Sequence, residues 1–339
     1  MTSDTTLPRR RLGRTGPEVS AIGLGAMGMS DLYGPADDAE STATIHAALD
    51  AGIDLVDTGD FYGMGHNELL IGRALRERDR DEVVLSVKFG ARRGPDGAWL
   101  PVGADTSPAA VKDRLAYTLR RLGTDHVDVY RPARLNPDVP VEDTVGALAE
   151  LRQQGWIRHI GLSEVGAETI RRAAAVAPVC DVQIEYSLLS RGPEAEILPT
   201  LRELGIGLTA YGVLSRGLLS GHWTPDRTLA GGDFRAHSPR FQGENLAANL
   251  ALTAALGSVA ARLGATTAQV AVAWVLTRGE DVVPLVGARR RDRLAESLVA
   301  GSLVLDGDAL TEIEAAVPPG AAAGSRYAPA QMATLDSER

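Results

Sequence analysis

Eight short apolar runs alternating with longer stretches of helical spacing predict an α/β chain closed into a (β/α)8 barrel of TIM type. The runs are residues 19–24, 53–57, 83–88, 127–130, 157–162, 179–184, 206–210 and 282–286, rich in Val, Ile and Leu as buried parallel strands are. Between them, residues 37–51, 67–76, 108–122, 141–154, 166–175, 194–204 and 267–277 read as helices. Strand–helix alternation builds a parallel sheet, and eight repeats close it rather than leaving it open. The 339 residues suit one barrel, and no linker divides them.

The chain's punctuation gives the element order. Residues 9–20, with Gly13 and Gly16-Pro17 in the middle, predict an N-terminal β-hairpin before the first strand. Ser107 followed by Pro108 predicts a capped helix start. Gly52, Gly123, Gly155 and Gly205 each follow a helical run and precede a strand, where a left-handed residue ends a helix. Residues 221–246 form a long Gly-, Pro- and polar-rich stretch, followed by an extra helix at 249–263, a helix at 308–316 and a tail. Such insertions are expected as extra loops and helices at the C-terminal face. One domain is expected over 1–339, ordered over about 9–329, with Met1 to Pro8 as a frayed terminus.

Composition limits the function classes. Hydrophobic residues make up 44% and charged residues 23%, and the formal net charge is −9. An acidic chain argues against general nucleic-acid binding. No apolar run reaches membrane-spanning length and no secretory signal core is present, so a cytoplasmic protein is expected. Cys180 is the only cysteine, which rules out an internal disulfide and a cysteine metal site; it reads as a buried structural thiol.

Asp57, Tyr62 and Lys88 each stand at or just past a strand end, where barrel active sites are built. A free phenol titrates near ~10 and is a poor acid at neutral pH. A nearby ammonium is expected to lower that value, and an aspartate to hold the ammonium in place. Any one of the three reads equally well as a loop or strand-end residue; together they make a proton-transfer group.

The blocks VDTGDFYGMGHNE (56–68), KFG (88–90), RHIGLSE (158–164), QIEYS (183–187), AYGVLSRGLL (210–219) and PRFQGEN (239–245) resemble the signatures of the aldo-keto reductases. They run in order over nearly the whole chain. The resemblance implies catalytic roles for Asp57, Tyr62 and Lys88, with NADPH as cofactor. It implies that Ser163 and Gln183 hold the nicotinamide carboxamide and that Tyr211 stacks on the ring. Asp57, Met27, Leu214 and Gly287 complete the expected cofactor lining. The segment 286–297 follows the last strand and opens a helix, with Arg289, Arg290, Arg291 and Arg293 crowded together. Helix N-terminal amides and arginines suit a phosphate, and the resemblance implies the 2′-phosphate of NADPH. Ser297 stands where most family members carry the Asn that contacts adenine. Gly23, Gly25 and Gly28 formally match G-x-G-x-x-G, but no helix opens at the third glycine, so they are expected to let backbone approach a ligand instead.

One departure matters. The family's catalytic His aligns with Ala133, and none of His46, His66, His126, His159, His222 and His237 is required to replace it. Arg131 and Arg134 are the nearest charged candidates. The substrate pocket is expected to be walled by Tyr33, Phe61, Phe89, Trp99, Arg131 and Trp223, with residues of the 221–246 loop and of the tail. The expected activity is NADPH-dependent reduction of an aldehyde or ketone, including a pyridoxal-reductase-like variant. The alternatives are a low-turnover cofactor-binding regulatory protein and a Schiff-base lyase using Lys88. A small carbonyl compound is the expected partner, with no metal and with oligomerisation open.

Overall fold

The computed structural model describes residues 7–30 and 32–338, with backbone alone at 101–103. The expectation of a frayed start at Met1 to Pro8 therefore falls mostly outside the described residues. Eight parallel strands close into a barrel: β1 Gly23–Gly25, β2 Leu55–Gly59, β3 Val84–Phe89, β4 Val127–Pro132, β5 Ile157–Ser163, β6 Val179–Glu185, β7 Gly207–Tyr211 and β8 Val282–Gly287. Each pairs with the next, and β8 returns to β1. The flanking helices are α1 Asp38–Asp50, α2 His66–Ala74, α3 Pro108–Leu122, α4 Val141–Gln153, α5 Ala167–Val176, α6 Ile197–Leu204, α7 Gly243–Arg262, α8 Thr267–Leu276, α9 Arg291–Leu298, α10 Gly307–Ala316 and α11 Pro329–Met332.

Local chemistry sets the boundaries. Ser107 accepts a hydrogen bond from Ala110 N–H and starts α3 at Pro108, as expected. Gly123 and Gly205 end α3 and α6 in the left-handed region, with φ of 69° and 67°. The stretch 19–24 is not one strand. Glu18–Ser20 pairs with Arg9–Arg11 in the N-terminal hairpin. The chain then turns, with Ser20 Oγ donating to Ile22 C=O at 2.8 Å, before β1 begins. The extra helix α7 starts at Gly243, earlier than expected. A second hairpin, Ala91–Arg93 with Trp99–Ala104, follows β3 and had no clear sequence signal.

The hairpin closes one end of the barrel. Leu12 and Val19 pack with Leu55, Val129, Cys180, Val283 and Leu285 in a buried lumen cluster. Gly13 lies so close to β6 that an added Cβ would stand 2.3 Å from Cys180 C=O, and its φ is 63°. Only glycine fits there. With the bottom plugged by apolar side chains, polar groups are left for the opposite mouth.

Candidate active site

Along the barrel strands, alternate side chains face the lumen. This brings Asp57 of β2, Ser86 and Lys88 of β3, Arg131 of β4, Asp181 and Gln183 of β6 and Thr209 of β7 into one hydrogen-bonded group. Asp57 ion-pairs with Lys88 and accepts from Ser86 Oγ at 2.8 Å and Gln183 Nε2 at 2.7 Å. Within the same group, Arg131 donates to Asp181 at 2.9 Å and to Ser86 Oγ at 2.9 Å. Thr209 also donates to Asp181. All of these groups are buried. A buried carboxylate persists when paired and fully hydrogen-bonded, and Asp57 is.

Tyr62 stands on the turn Tyr62–Gly65 just past β2, a turn that passes through the left-handed region at Gly63 and Met64. Its ring packs edge-on against Phe61 at 4.7 Å, and Lys88 Nζ lies 5.2 Å from the ring centroid. Its phenol is not lowered as the sequence led us to expect. Burial first, then the Asp57 carboxylate, pushes it well above the ordinary phenol value. Burial pulls Lys88 below its ordinary value, while Asp57 opposes that shift. The ammonium is held by Asp57, so its field does not dominate at the phenol. Tyr62 is therefore neutral, and a neutral phenol donates protons.

The mouth differs in part from the expected wall. Phe61 packs against Trp99 at 5.8 Å, and Trp99, 43% exposed, is covered on one face by Arg93. Tyr33 packs on Phe234 at 6.2 Å, with the Arg235 guanidinium 4.8 Å from its ring. Phe89 belongs elsewhere. It alternates with Lys88, so it points out of the lumen, is fully buried and stacks on Tyr130 at 4.4 Å. Arg131 is also not a wall residue: it is wholly buried in the lumen, locked to Asp181. Trp223 is almost wholly buried against Phe241, within the loop after β7.

The C-terminal tail was expected at the pocket, but the residues it contributes there were not named from the sequence. Tyr327 shares a 2.8 Å hydrogen bond between hydroxyls with Tyr211 and accepts from Arg134 Nη2 at 3.2 Å. Arg326 donates to Glu164 at 2.8 and 3.1 Å and reaches Glu185 at 3.4 Å. Arg216 also pairs with Glu185 at 2.8 Å. Ser337 donates to Glu164, and Asp336 accepts from Gly166 N–H at the start of α5. Against its burial, Arg326 above all, with Arg134 and the Ser337 hydroxyl, holds Glu164 far below the usual carboxylate range.

The residues present fit a nicotinamide cofactor. Ser163 Oγ is buried and has no hydrogen-bond partner among the described residues, so an amide seated at the mouth would satisfy it. Gly25 and Gly287 are paired across β1 and β8, and neither has an atom within 3.6 Å of an added Cβ, which leaves room for a ligand to approach backbone. Met27 and Leu214 begin short turns after β1 and β7. Of the arginines before and within α9, Arg289 donates to Tyr33 and Pro35 C=O, tying the β8 loop to the β1 loop. Arg290 pairs with Asp292, Arg291 with Glu40, and Arg293 with Glu296. Ser297 is buried on α9.

Ala133 is buried and donates its N–H to Phe89 C=O at 2.8 Å, continuing the β3–β4 pairing. No histidine fills its place among the contacts described. His66 bonds Ser30 and Asp38, His222 bonds Glu296, and His126 bonds Asp125. Among the described residues, no acid, His or Cys cluster could hold a metal, and no single helix is long and apolar enough to cross a membrane. Cys180 is buried in the lumen, and burial pushes its thiol up.

A closed parallel barrel with a buried acid–ammonium pair below a mouth phenol belongs to the barrel oxidoreductases. The chain is a member of the aldo/keto reductase family, whose sequence pattern matches residues 21–318. It is 41% identical to "Probable aldo-keto reductase 1" of Glycine max over 320 residues, covering 94% of this chain and 91% of that protein. Among solved structures it is similar to a glycerol dehydrogenase from Gluconobacter oxydans, with a TM-score of 0.81 and 32% identity over 94% of this chain and 98% of that one. An aldo-keto reductase from Bacillus halodurans in its holo form gives a TM-score of 0.74 and 28% identity over 92% and 96%. The family interconverts carbonyls and alcohols with a nicotinamide cofactor, generally NADP(H).

Proposed function

We propose that this chain is a cytoplasmic single-domain enzyme that reduces a small aldehyde or ketone to an alcohol with NADPH. The supporting observation is the convergence on Asp57 of Lys88, Ser86 and Gln183 directly beside the neutral phenol of Tyr62. Bound NADPH supplies a hydride to the carbonyl carbon. Tyr62 gives its proton to the carbonyl oxygen and recovers one from solvent. Lys88, fixed by Asp57, stabilises the phenolate left behind. Ser163 and Gln183 orient the carboxamide, and Tyr211 packs against the ring.

With Ala133 in place of an imidazole, one donor to the developing oxyanion is missing. Such a loss costs roughly 2.7–4 kcal/mol and slows a reaction without abolishing it. Turnover of simple aldehydes is therefore slow. Arg134 lies within electrostatic reach of both Tyr62 and Lys88, whereas Arg131 is committed to the lumen. The test is Tyr62→Phe assayed by NADPH oxidation with a panel of aldehydes. Reduction falls to near background while NADPH still binds, as read by fluorescence. Wild-type turnover in the mutant would defeat the assignment.

A further inference from the structure

The acids Asp57, Glu164 and Glu185 at the barrel mouth are each paired. Asp57 is matched by Lys88, Glu164 by Arg326, and Glu185 by Arg216, Arg240 and Arg326. Arg134 has no carboxylate within ion-pair distance among the described residues. Its guanidinium spends one hydrogen bond on Ala133 C=O at 2.6 Å and one on Tyr327 at 3.2 Å. A guanidinium has five N–H groups and does not lose its charge. Arg134 is only partly exposed, and a charge drawn out of water without a counter-charge is costly. It is also held in place: Tyr327 stacks within 5.8 Å of it and is itself tied to Tyr211. The nearest acid, Glu164, is already engaged by Arg326, Tyr211 and Ser337.

We propose that Arg134, held by Tyr327 of the tail, binds a carboxylate on the carbonyl substrate, so that the preferred substrates are oxo-acids. A planar carboxylate takes two parallel N–H donors from one guanidinium. Arg134 follows Ala133 just past β4 and is tied through Tyr327 to Tyr211 at the end of β7, which places its guanidinium at the same mouth as Tyr62 and Lys88. An anchored carboxylate fixes the carbonyl relative to Tyr62, which offsets the donor lost at Ala133. This rests on the reductase activity proposed above.

The experiment compares matched pairs differing only in the acid: glyoxylate with acetaldehyde, 4-oxobutanoate with butanal, and 4-carboxybenzaldehyde with benzaldehyde. The readout is the ratio of kcat/KM within each pair. For the wild type, at least one oxo-acid exceeds its neutral partner, and its KM rises with ionic strength while the neutral partner's does not. Arg134→Gln lowers that ratio on the order of tenfold to a hundredfold, the worth of a charge-assisted bidentate contact. Arg134→Lys, which keeps the charge and loses the fork, retains part of it. A wild-type ratio near one in every pair, or a ratio untouched in Arg134→Gln, overturns the inference and leaves the reductase activity standing. Failure of the wild type to reduce any carbonyl overturns that activity instead. If the variants do not fold, the wild-type ratios and their salt dependence decide alone.

Discussion

Replacing Arg326 with Met removes the only guanidinium hydrogen-bonded to Glu164 among the described residues while keeping most of the side-chain volume. Glu164 is fully buried as a side chain and Arg326 is 8% exposed. Glu185 still has Arg216 at 2.8 Å, and Glu338, which Arg326 also holds at 2.6 Å, is exposed to water, so only one buried carboxylate is left without its partner. Glu164 keeps three neutral donors: Tyr211 at 2.8 Å, Ser337 at 2.7 Å and Glu185 N–H at 3.0 Å. Breaking a buried pair costs about 3–5 kcal/mol, and the three donors favour the lower end. At about 2 °C per kcal/mol, the low end for larger domains, Tm falls by roughly 6 °C. The loss depends on pH in a defined direction. Glu164 is depressed in the fold, so its pairing stabilises above the unfolded carboxylate value near ~4.3 and fades as pH falls through the folded value. The gap between wild type and Arg326→Met is therefore full at neutral pH and narrows in acid. Urea unfolding at the two pH values measures it. A loss under about 1 kcal/mol at neutral pH, or a gap that widens in acid, would refute the reasoning.

Three further outcomes follow from the same geometry. Because burial and Asp57 raise the Tyr62 phenol, it stays protonated through the neutral range, so the reduction rate is flat from about pH 6 to about pH 9 while alcohol oxidation rises with pH; a decline in reduction below about pH 8 contradicts this. Arg289→Ala with Arg290→Ala weakens NADPH far more than NADH if these side chains leave their present partners for a 2′-phosphate; equal losses in the two dissociation constants mark the cluster as a solvated face. Ala133→His raises turnover of simple aldehydes where the buried site has room; overpacking costs roughly 1–3 kcal/mol, so unfolding midpoints are measured beside rates, and a fully stable variant with unchanged turnover refutes the placement of Ala133 beside the carbonyl.

Much of the architecture was legible because barrel strands and their following helices have different periods. Eight apolar runs mark the strands, and glycines such as Gly123 and Gly205 mark where helices stop. The split of 19–24 was hidden because Val19, Ala21, Ile22 and Leu24 read as one apolar run and the turn is marked only by Ser20, whose hydroxyl bonds Ile22 C=O. Asp57, Tyr62 and Lys88 were found from strand ends. Ser86 and Asp181 were not, although each stands two residues before a named partner, Lys88 or Gln183, on the same strand face. That period of two also tells Lys88 from Phe89: neighbours point to opposite sides, so both cannot meet the substrate. The tail residues Arg326 and Tyr327 carried no local signal. Their partners at the mouth, Glu164 and Tyr211, lie more than a hundred residues away in sequence, and such pairing is visible only once the barrel has closed.

The lumen beneath the mouth holds two acids, Asp57 and Asp181, and two cations, Lys88 and Arg131, all of them buried. Such a set has parity. Any single neutral replacement leaves an odd charge in a space that excludes solvent, whereas paired replacements preserve the balance. The lumen therefore resists one-step change while the rim does not. Phe61 and Trp99 can vary one at a time without disturbing that balance. A search for altered substrate range on this scaffold will advance by single steps at the rim and only by simultaneous steps below it.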